Sequence, residues 1–234
     1  MKKAILFLIF LVPAPVASGE YDAARAALRK LAPGLTIDDI RHSPVAGVLE
    51  VLSGGNILYI TENGEYLFNG ALVDTASGKN LTEKRRASVR KQHLAALPKN
   101  DFIVFLASNE KYRVDVFTDV DCAFCRKMHK QISAYNQLGI SVYYLAFPRS
   151  GLNTPSYTKA VAVWCSENRR EALTEAKLGQ PLPARNCDNP VASEYRLGVS
   201  MGIRGTPTLI APDGTLLPGY LPPVQLLQRL ATLN

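Results

Sequence analysis

Two cysteines, Cys122 and Cys125, are separated by two residues where a predicted strand at 113–118 is followed by a predicted helix at 123–138. This junction constrains the fold, because it places the first sulfur at the start of a helix. Unpaired N–H groups and the positive end of the helix dipole stabilise a thiolate there. We therefore expect Cys122 to be an exposed nucleophile, and Cys125, one turn later, to attack back on a mixed disulfide. An inert disulfide between the two is the alternative.

Strand and helix patterns alternate after this junction. The sequence predicts a strand at 141–147, a helix at 156–168, two further helical segments, a hairpin with strands at 208–211 and 215–217, and an amphipathic helix at 222–233. No repeat and no glycine-rich phosphate loop is visible in the sequence. These patterns predict a mixed unit of strands and helices around the cysteine pair.

Residues 20–78 predict a smaller unit, a helix with an antiparallel sheet. The helix spans 21–31 and ends before Pro33-Gly34, and turn sequences separate short predicted strands at 36–41, 45–52, 57–61, 66–69 and 71–74. A core of about 55 residues is marginal. Such a unit is expected to need a partner surface or a second copy of itself.

A basic helix is predicted at 81–97, with Asn80 and Glu83 spaced as a capping box and Pro98 at its end. The surface of this helix is mostly polar on all sides, which favours a solvent-bridging linker between domains. A nucleic-acid-binding helix is the alternative, and the formal net charge of +7 could suggest it. No stacking aromatic residues interleave these charges, so we treat the charge as a solubility and encounter property.

The first nineteen residues resemble a secretory signal. Lys2 and Lys3 precede an apolar stretch at 4–12, and Ala17-Ser18-Gly19 forms a small-residue cleavage site. An N-terminal membrane anchor is the alternative, but the stretch is much shorter than the roughly 20 residues that span a bilayer. We therefore expect a mature chain that begins near Glu20 and resides in an oxidising compartment, where unprotected thiols pair.

The remaining cysteines, Cys165 and Cys187, lie 22 positions apart. A structural disulfide is the simplest interpretation, worth about 3 kcal/mol in the chain-entropy model. A second redox pair is the alternative. A zinc site with all four cysteines is disfavoured, because these two are not a close pair and no histidine has a ligand-like spacing to either.

The dipeptide Thr206-Pro207 comes just before the predicted hairpin. In thioredoxin-like sites a cis-proline packs beside the CxxC motif, and the backbone of the preceding residue can pair with an extended polypeptide substrate. Together with the cysteine pair and the order of the strands, Thr206 and Pro207 become candidates for substrate binding.

Short segments along nearly the whole mature chain match one known family in the same order. They are Pro-Val-Ala-Gly at 44–47, Leu-Tyr-Ile-Thr at 58–61, Phe-Thr-Asp at 117–119, Tyr-Asn at 135–136, Leu-Gly-Ile at 138–140, Tyr-Leu-Ala-Phe-Pro-Arg at 144–149, Gly-Thr-Pro at 205–207 and Pro-Gly-Tyr at 218–220. With these segments the sequence closely resembles the DsbC family of periplasmic protein disulfide isomerases.

The resemblance implies an α+β fold in four parts: a signal peptide at 1–19, a cystatin-like dimerisation domain at 20–78, a linker helix at 79–98 and a thioredoxin-fold catalytic domain with a helical insertion at 99–234. It implies a V-shaped periplasmic homodimer whose apolar cleft holds misfolded exported proteins. It also implies reduction by the membrane protein DsbD. No cofactor, metal or nucleic acid is expected.

By the same resemblance, Cys122 and Cys125 take the redox roles, Cys165 and Cys187 form the structural bridge, and Pro207 is the cis-proline. Cys122 would attack a wrong disulfide, after which the client reshuffles or Cys125 resolves the mixed disulfide. Two alternatives stay open. One is a DsbG-like reductase of oxidised single cysteines, and the other is a chaperone whose thiols are incidental.

The departures from the family are local. Ala123-Phe124 stands between the cysteines where a known member has Gly-Tyr, and Asp121 and Arg126 replace Thr and His. Asp121 is expected to raise the pKa of Cys122 and Arg126 to lower it, so the net change has no secure sign. His129 matches a family histidine. It could assist proton transfer, but a solvated surface histidine is the preferred interpretation.

Overall fold

Helix α1 (Asp22–Leu31) packs on a four-stranded antiparallel sheet in the computed structural model, which describes residues 19–233. The strands are adjacent in chain order: β1 (Asp39–His42), β2 (Val48–Ser53), β3 (Asn56–Thr61) and β4 (Leu67–Phe68). Alternate β2 residues, Leu49 and Val51, share a core with Ala24 and Leu28 of α1. The predicted helix with an antiparallel sheet is confirmed. The predicted leader, apart from Gly19, lies outside the described residues.

The segment at 71–74, predicted as one of these strands, pairs elsewhere. Within residues 19–233 it forms β5 (Val73–Asp74), which pairs with β6 (Lys79–Asn80) alone in a two-stranded ribbon. The Leu72 N–H donates to Thr82 Oγ1 at 2.7 Å, and the Leu72 carbonyl accepts the Leu81 N–H at 2.8 Å. The ribbon is therefore tied to the helix that follows it.

That helix, α2 (Leu81–Ala95), begins at Asn80, whose side chain accepts the Glu83 N–H at 2.9 Å. The helix is solvated on part of its surface only, and its role as a linker between domains stays a prediction. Arg85 pairs with Asp39 and Glu50, at 2.7 and 3.1 Å, and Arg90 is buried. These two basic residues are paired, whereas Lys84 and Lys91 are exposed, a difference that the polar pattern of the sequence could not reveal.

The second sheet has five strands in the order β11-β10-β8-β9-β7. Their bounds are β7 (Ile103–Phe105), β8 (Tyr112–Thr118), β9 (Ile140–Ala146), β10 (Thr208–Ile210) and β11 (Leu216–Pro218). Only β8 and β9 run parallel, and the other neighbours are antiparallel. A 3₁₀ turn, Lys99–Asp101, precedes β7, a strand that the sequence patterns did not predict.

Alternate side chains of this sheet enter two separate cores. Val142 and Tyr144 of β9 join the larger one, with residues of α4, α5, α6 and α8, whereas Leu145 joins the smaller one with Leu94 of α2 and residues around α7. The helices are α3 (Ala123–His129), α4 (Ile132–Gln137), α5 (Pro155–Trp164), α6 (Arg169–Leu178), α7 (Val191–Ser200) and α8 (Pro223–Ala231).

Two predicted helices are substantially longer than the observed ones. The helix predicted at 123–138 is divided into α3 and α4 at Gln131, whose side chain accepts a hydrogen bond from the Tyr220 hydroxyl at 3.0 Å. The helix predicted at 156–168 ends at Trp164, and Asn168 caps the next one by accepting the Glu171 N–H. None of the helices in the described part of the chain is long and apolar enough to cross a membrane.

Candidate active site

The cysteine pair occupies the junction between β8 and α3. The strand ends at Thr118 and the helix begins at Ala123, so that Cys122 is the N-cap residue, with extended backbone at φ −80° and ψ 123°. Its carbonyl accepts the first helical hydrogen bond from the Arg126 N–H at 3.0 Å. Cys125 lies in the first turn. Both cysteines are free thiols.

The Asp119 carboxylate fixes the loop that leads to Cys122. Its Oδ1 accepts the Asp121 N–H at 2.8 Å and the Ser156 hydroxyl at 2.7 Å, and its Oδ2 accepts the Arg149 N–H at 2.9 Å. Burial opposes ionisation, but these hydrogen bonds outweigh it and lower the pKa of Asp119. The carboxylate also pairs with the Arg149 guanidinium at 3.3 Å and so holds that cation near the cysteines.

Cys122 is buried, with 2% of its surface exposed, so the prediction of an exposed nucleophile is wrong for the free chain. Its sulfur lies 3.1 Å from the Thr206 carbonyl oxygen, to which the protonated thiol donates a hydrogen bond. This contact joins residues 84 positions apart in the sequence. A pattern confined to the CxxC motif could not reveal such a cover.

The surroundings of Cys122 favour its thiolate and lower its pKa to about 5. The largest cause is the hydrogen bond from the Cys125 thiol, which outweighs the opposing effect of burial. Hydrogen bonds from the Thr206 side chain and from the Cys125 N–H, and the charge of Arg149, act in the same direction. At neutral pH Cys122 is therefore an ionised nucleophile.

Cys125 has the opposite preference. It is 1% exposed, and burial followed by its hydrogen bond to Cys122 raises the pKa of the thiol. The charge of Lys177 and a hydrogen bond with Thr118 lower the pKa in part. The pair therefore consists of one thiolate and one protonated thiol that hydrogen-bonds to it.

Asp121 and Arg126 neutralise each other. Their side chains form an ion pair at 3.2 Å, and Lys159 of α5 reaches the same carboxylate at 2.8 Å. Neither residue is among the main causes of the Cys122 pKa shift, which come from Cys125, Thr206 and Arg149. The two opposing effects expected from sequence are therefore minor.

Thr206 and Pro207 lie beside the cysteines, immediately before β10. The peptide bond between them is cis. The Pro207 carbonyl accepts the Gly219 N–H at 2.9 Å, which ties this segment to the end of β11. The Thr206 carbonyl thus reaches Cys122 from a loop anchored on the sheet.

Cys165 and Cys187 form a disulfide, with an S–S distance of 2.09 Å and a Cα–Cα distance of 5.7 Å. Cys165 follows α5, and Cys187 lies in the segment between α6 and α7. Within residues 19–233, no three His, Cys, Asp or Glu side chains are grouped as a metal site would require.

His129 is buried, so the prediction of a solvated surface histidine is wrong. It lies four residues after the buried Cys125 and therefore on the same inner face of α3. Its Nδ1 is 3.2 Å from the Tyr144 hydroxyl, and its Nε2 is 2.9 Å from Thr174 Oγ1. Burial, and secondarily the charge of Lys177, lower the pKa of His129 to about 3.

Lys177 was missed by the sequence interpretation. It is 2% exposed, and its Nζ donates to Thr118 Oγ1 at 2.8 Å, within the site. A signal for its burial exists, because Leu173, Ala176 and Lys177 share one face of α6 at helical spacing. A lysine on that apolar face is conspicuous once the helix register is known.

Two family models match the chain. Residues 15–83 match the disulfide bond isomerase protein N-terminal domain, and residues 98–234 match a thioredoxin-like domain. The first match covers the unit built on α1, and the second covers the unit that contains the cysteine pair.

Curated relatives align along nearly the whole chain. The thiol:disulfide interchange protein DsbC of Escherichia coli (strain K12) is 37% identical over 229 residues, covering 97% of this chain and 94% of the relative. The DsbC of Dickeya dadantii is 37% identical over 233 residues, covering 98% and 94%. A crystal structure of a disulfide interchange protein from Neisseria gonorrhoeae superposes with a TM-score of 0.52 at 33% identity, over 58% of this chain and 97% of that one.

Proposed function

The chain belongs to the DsbC family of thiol:disulfide interchange proteins, and we propose that it reshuffles or reduces wrong disulfides in exported proteins through a mixed disulfide at Cys122. The contrast between its two free thiols carries the proposal. Cys122, with its pKa lowered to about 5, is the attacking thiolate, while burial keeps Cys125 protonated. An inert structural disulfide would need no such difference in pKa between its two cysteines.

The reaction begins when the Cys122 thiolate attacks one sulfur of a client disulfide. The Cys122–client bond forms as the client S–S bond breaks, and the electron pair leaves on the other client sulfur. In isomerisation, a client thiolate then attacks elsewhere and Cys122 leaves as the thiolate. In reduction, Cys125 attacks Cys122, which leaves both client sulfurs reduced and the enzyme oxidised. A DsbD-like membrane reductant returns two electrons to the pair.

Thr206 and Pro207 bind the client next to the attacked sulfur. The anchored segment before β10 sits against Cys122, and an extended client backbone can hydrogen-bond beside it. Cys165 and Cys187 bridge α5 to the segment after α6 and serve the stability of that region, with no part in exchange.

The protein acts as a homodimer that pairs through its N-terminal unit. The match of this unit to the disulfide isomerase N-terminal domain supports pairing. So do exposed apolar side chains on and beside the edge strand β4, at Tyr66, Leu67 and Phe68. An open, apolar sheet edge is a template for association with another chain. The leader-like start of the sequence and the DsbC relatives support a periplasmic location.

Trapping tests the proposal. The Cys125→Ala variant, mixed with a purified protein whose disulfides have been scrambled, is expected to form a covalent adduct that dithiothreitol releases. A Cys122→Ala, Cys125→Ala double variant is the matched control and should form none. The absence of an adduct with the single variant would overturn the proposal.

Two further measurements separate the alternatives. A chaperone with incidental thiols would suppress aggregation of a cysteine-free client equally well without Cys122, and would not recover a scrambled protein. A DsbG-like reductase would reduce a client with one oxidised cysteine but leave the scrambled protein unrepaired.

A further inference from the structure

A buried lysine lies beneath the cysteine pair. The Lys177 amine is enclosed between α6 and the sheet, with its nitrogen 5.4 Å from the centre of the Tyr144 ring. Within residues 19–233, no carboxylate lies within ion-pair distance of that nitrogen. A buried charge without a paired partner is costly. An apolar side chain of the same length would avoid this cost, which indicates a function that requires the amine.

The Thr118 hydroxyl lies between this amine and Cys125. Lys177 Nζ donates to Thr118 Oγ1 at 2.8 Å, and the Thr118 side chain is near enough to Cys125 to lower the pKa of its thiol. An ammonium can only donate, so its bond to Thr118 leaves the hydroxyl proton for the sulfur. A neutral amine can accept from Thr118, which frees the hydroxyl oxygen to accept from the Cys125 thiol. Lys177, Thr118 and Cys125 can therefore be linked by hydrogen bonds whether the amine is charged or neutral.

We propose that Lys177 takes the proton of Cys125 through the Thr118 hydroxyl when Cys125 resolves the mixed disulfide. The inference rests on the proposed function and adds to it the group that activates the second cysteine. Lys177 acts through Thr118 and is in this sense a positioning residue. It determines how readily the enzyme escapes from a bound client by reduction.

The proton and the electrons balance in this step. The Cys125 proton moves to Thr118 Oγ1 as the Thr118 proton moves to the Lys177 nitrogen, giving an ammonium and a thiolate. The thiolate attacks Cys122 Sγ, the Cys122–Cys125 bond forms, and the Cys122–client bond breaks with its electron pair on the client sulfur. When the reductant later opens the pair, Cys125 leaves as a thiolate and recovers its proton by the reverse path.

The mixed disulfide is the state in which this transfer becomes favourable. In the free dithiol, the Cys122 thiolate holds the Cys125 proton by a hydrogen bond. Once Cys122 is bonded to a client, that negative charge is gone and the pKa of Cys125 is no longer raised by it. Transfer from thiol to amine also leaves the net charge of the buried site unchanged, so the burial penalty does not grow.

The other charged groups around Lys177 do not replace it. Burial lowers the pKa of Lys177 to about 8, so a neutral amine is accessible near neutral pH. His129 has both ring nitrogens engaged, by Tyr144 and Thr174. The titratable or charged groups that face the amine from the packed elements are Cys122, Cys125, Arg126 and His129 of α3 and its N-cap, Asp119 after β8, and Tyr144 of β9.

Single-turnover exchange tests the inference on the full-length dithiol. The probe is an aromatic disulfide, in less than one equivalent, whose thiolate is coloured when released. Attack by Cys122 releases the first thiolate, and resolution by Cys125 releases the second. We expect Lys177→Met and Thr118→Val to keep the first phase within about twofold and slow the second at least about tenfold at pH 7, the effect of one pKa unit on the thiolate fraction.

The pH profile distinguishes proton transfer from a structural effect. In the wild type, the rate of the second phase should level off near pH 8, where Lys177 titrates. In Lys177→Met it should continue to rise above that pH, because Cys125 must then lose its proton to solvent. Lys130→Met, on the exposed end of α3, is the matched control and should resemble the wild type.

An unchanged second phase in either Lys177→Met or Thr118→Val would overturn the inference, as would a parallel pH profile in the wild type and Lys177→Met. Loss of the first phase in the wild type would instead contradict the proposed function itself. The two failures are therefore distinguishable in one experiment.

Discussion

The Arg90 side chain of α2 donates a hydrogen bond from its Nε to the Gly214 carbonyl, 2.8 Å away in the turn between β10 and β11. Arg90 is buried, and Gly214 approaches α2 so closely that a Cβ at this position would lie 1.9 Å from the Ala87 carbonyl oxygen. The helix is thus attached to the sheet that carries the cysteine pair.

Replacing Gly214 by alanine is expected to detach or displace α2. Gly214 has φ +89°, a conformation unfavourable for alanine, and the new methyl group would collide with Ala87. Gly202→Ala is the matched control, because it has φ +80° and no neighbour within 4 Å. We expect Gly202→Ala to cost about 1 kcal/mol and Gly214→Ala about 2–3 kcal/mol by denaturant unfolding. Equal losses would show that the contact with α2 contributes nothing.

Serine substitutions at the two active-site cysteines should have different effects on the refolding of a scrambled protein in glutathione buffer. Cys122→Ser should abolish recovery, because the thiolate at the N-cap is gone. Cys125→Ser should retain slow isomerisation while losing net reduction, because clients can still reshuffle but the enzyme cannot resolve them. Wild-type activity of Cys122→Ser would contradict the assignment of the attacking residue.

The alkylation rate of Cys122 should depend on pH with a midpoint near 5. Only the thiolate reacts, so the rate should be constant above this midpoint and fall below it as the sulfur is protonated. Arg149→Met removes a cation that favours the thiolate and should move the midpoint upward. Rates of iodoacetamide labelling by mass spectrometry, at several pH values, provide the measurement. An unshifted midpoint in Arg149→Met would show that the charge of Arg149 does not lower the pKa of Cys122.

Replacing Cys165 and Cys187 together by alanine should lower the free energy of unfolding by about 3 kcal/mol, since the unfolded chain regains the entropy of an open loop. The rate of Cys122 alkylation at neutral pH should stay at the wild-type value, because this disulfide has no part in exchange. Denaturant unfolding and labelling of the same preparation check both statements. A large change in labelling with intact stability would instead favour a second redox pair.

Charged residues on β4 should produce a monomer. Leu67→Lys with Phe68→Lys places two charges on the exposed edge strand of the N-terminal sheet. Light scattering should give half the wild-type mass. Isomerisation should fall further than reduction of a small disulfide, because only a dimer holds a client at two linked sites. Val224→Lys, an exposed position on α8, is the control and should remain dimeric.

Local signals in the sequence accounted for much of the fold. Pro33-Gly34 and Pro98 marked helix ends, and the CxxC motif was placed correctly between a strand and a helix. The division of α3 from α4 escaped prediction, because the Gln131 side chain interacts with Tyr220, 89 positions away. No glycine or proline marks that point.

The site was less predictable than the fold, because it also depends on contacts between residues that are distant in the sequence. Cys122 is covered by Thr206, and Lys177 reaches Thr118 across 59 positions. His129 is buried by Tyr144 and Thr174, which come from different elements. Motif spacing identifies the residue types that react, whereas their exposure and pKa depend on neighbours that only the folded chain brings together.

The cover over Cys122 also has a consequence for which disulfides are repaired. Cys122 is 2% exposed, and its sulfur lies behind the Thr206 carbonyl, so a disulfide held rigidly in the interior of a native protein cannot reach it. A loose strand can slide into place, exchange its own hydrogen bonds for those of the anchored segment and present its sulfur end-on. We expect folded proteins not to react with Cys122, so that native disulfides persist while wrong disulfides are exchanged again.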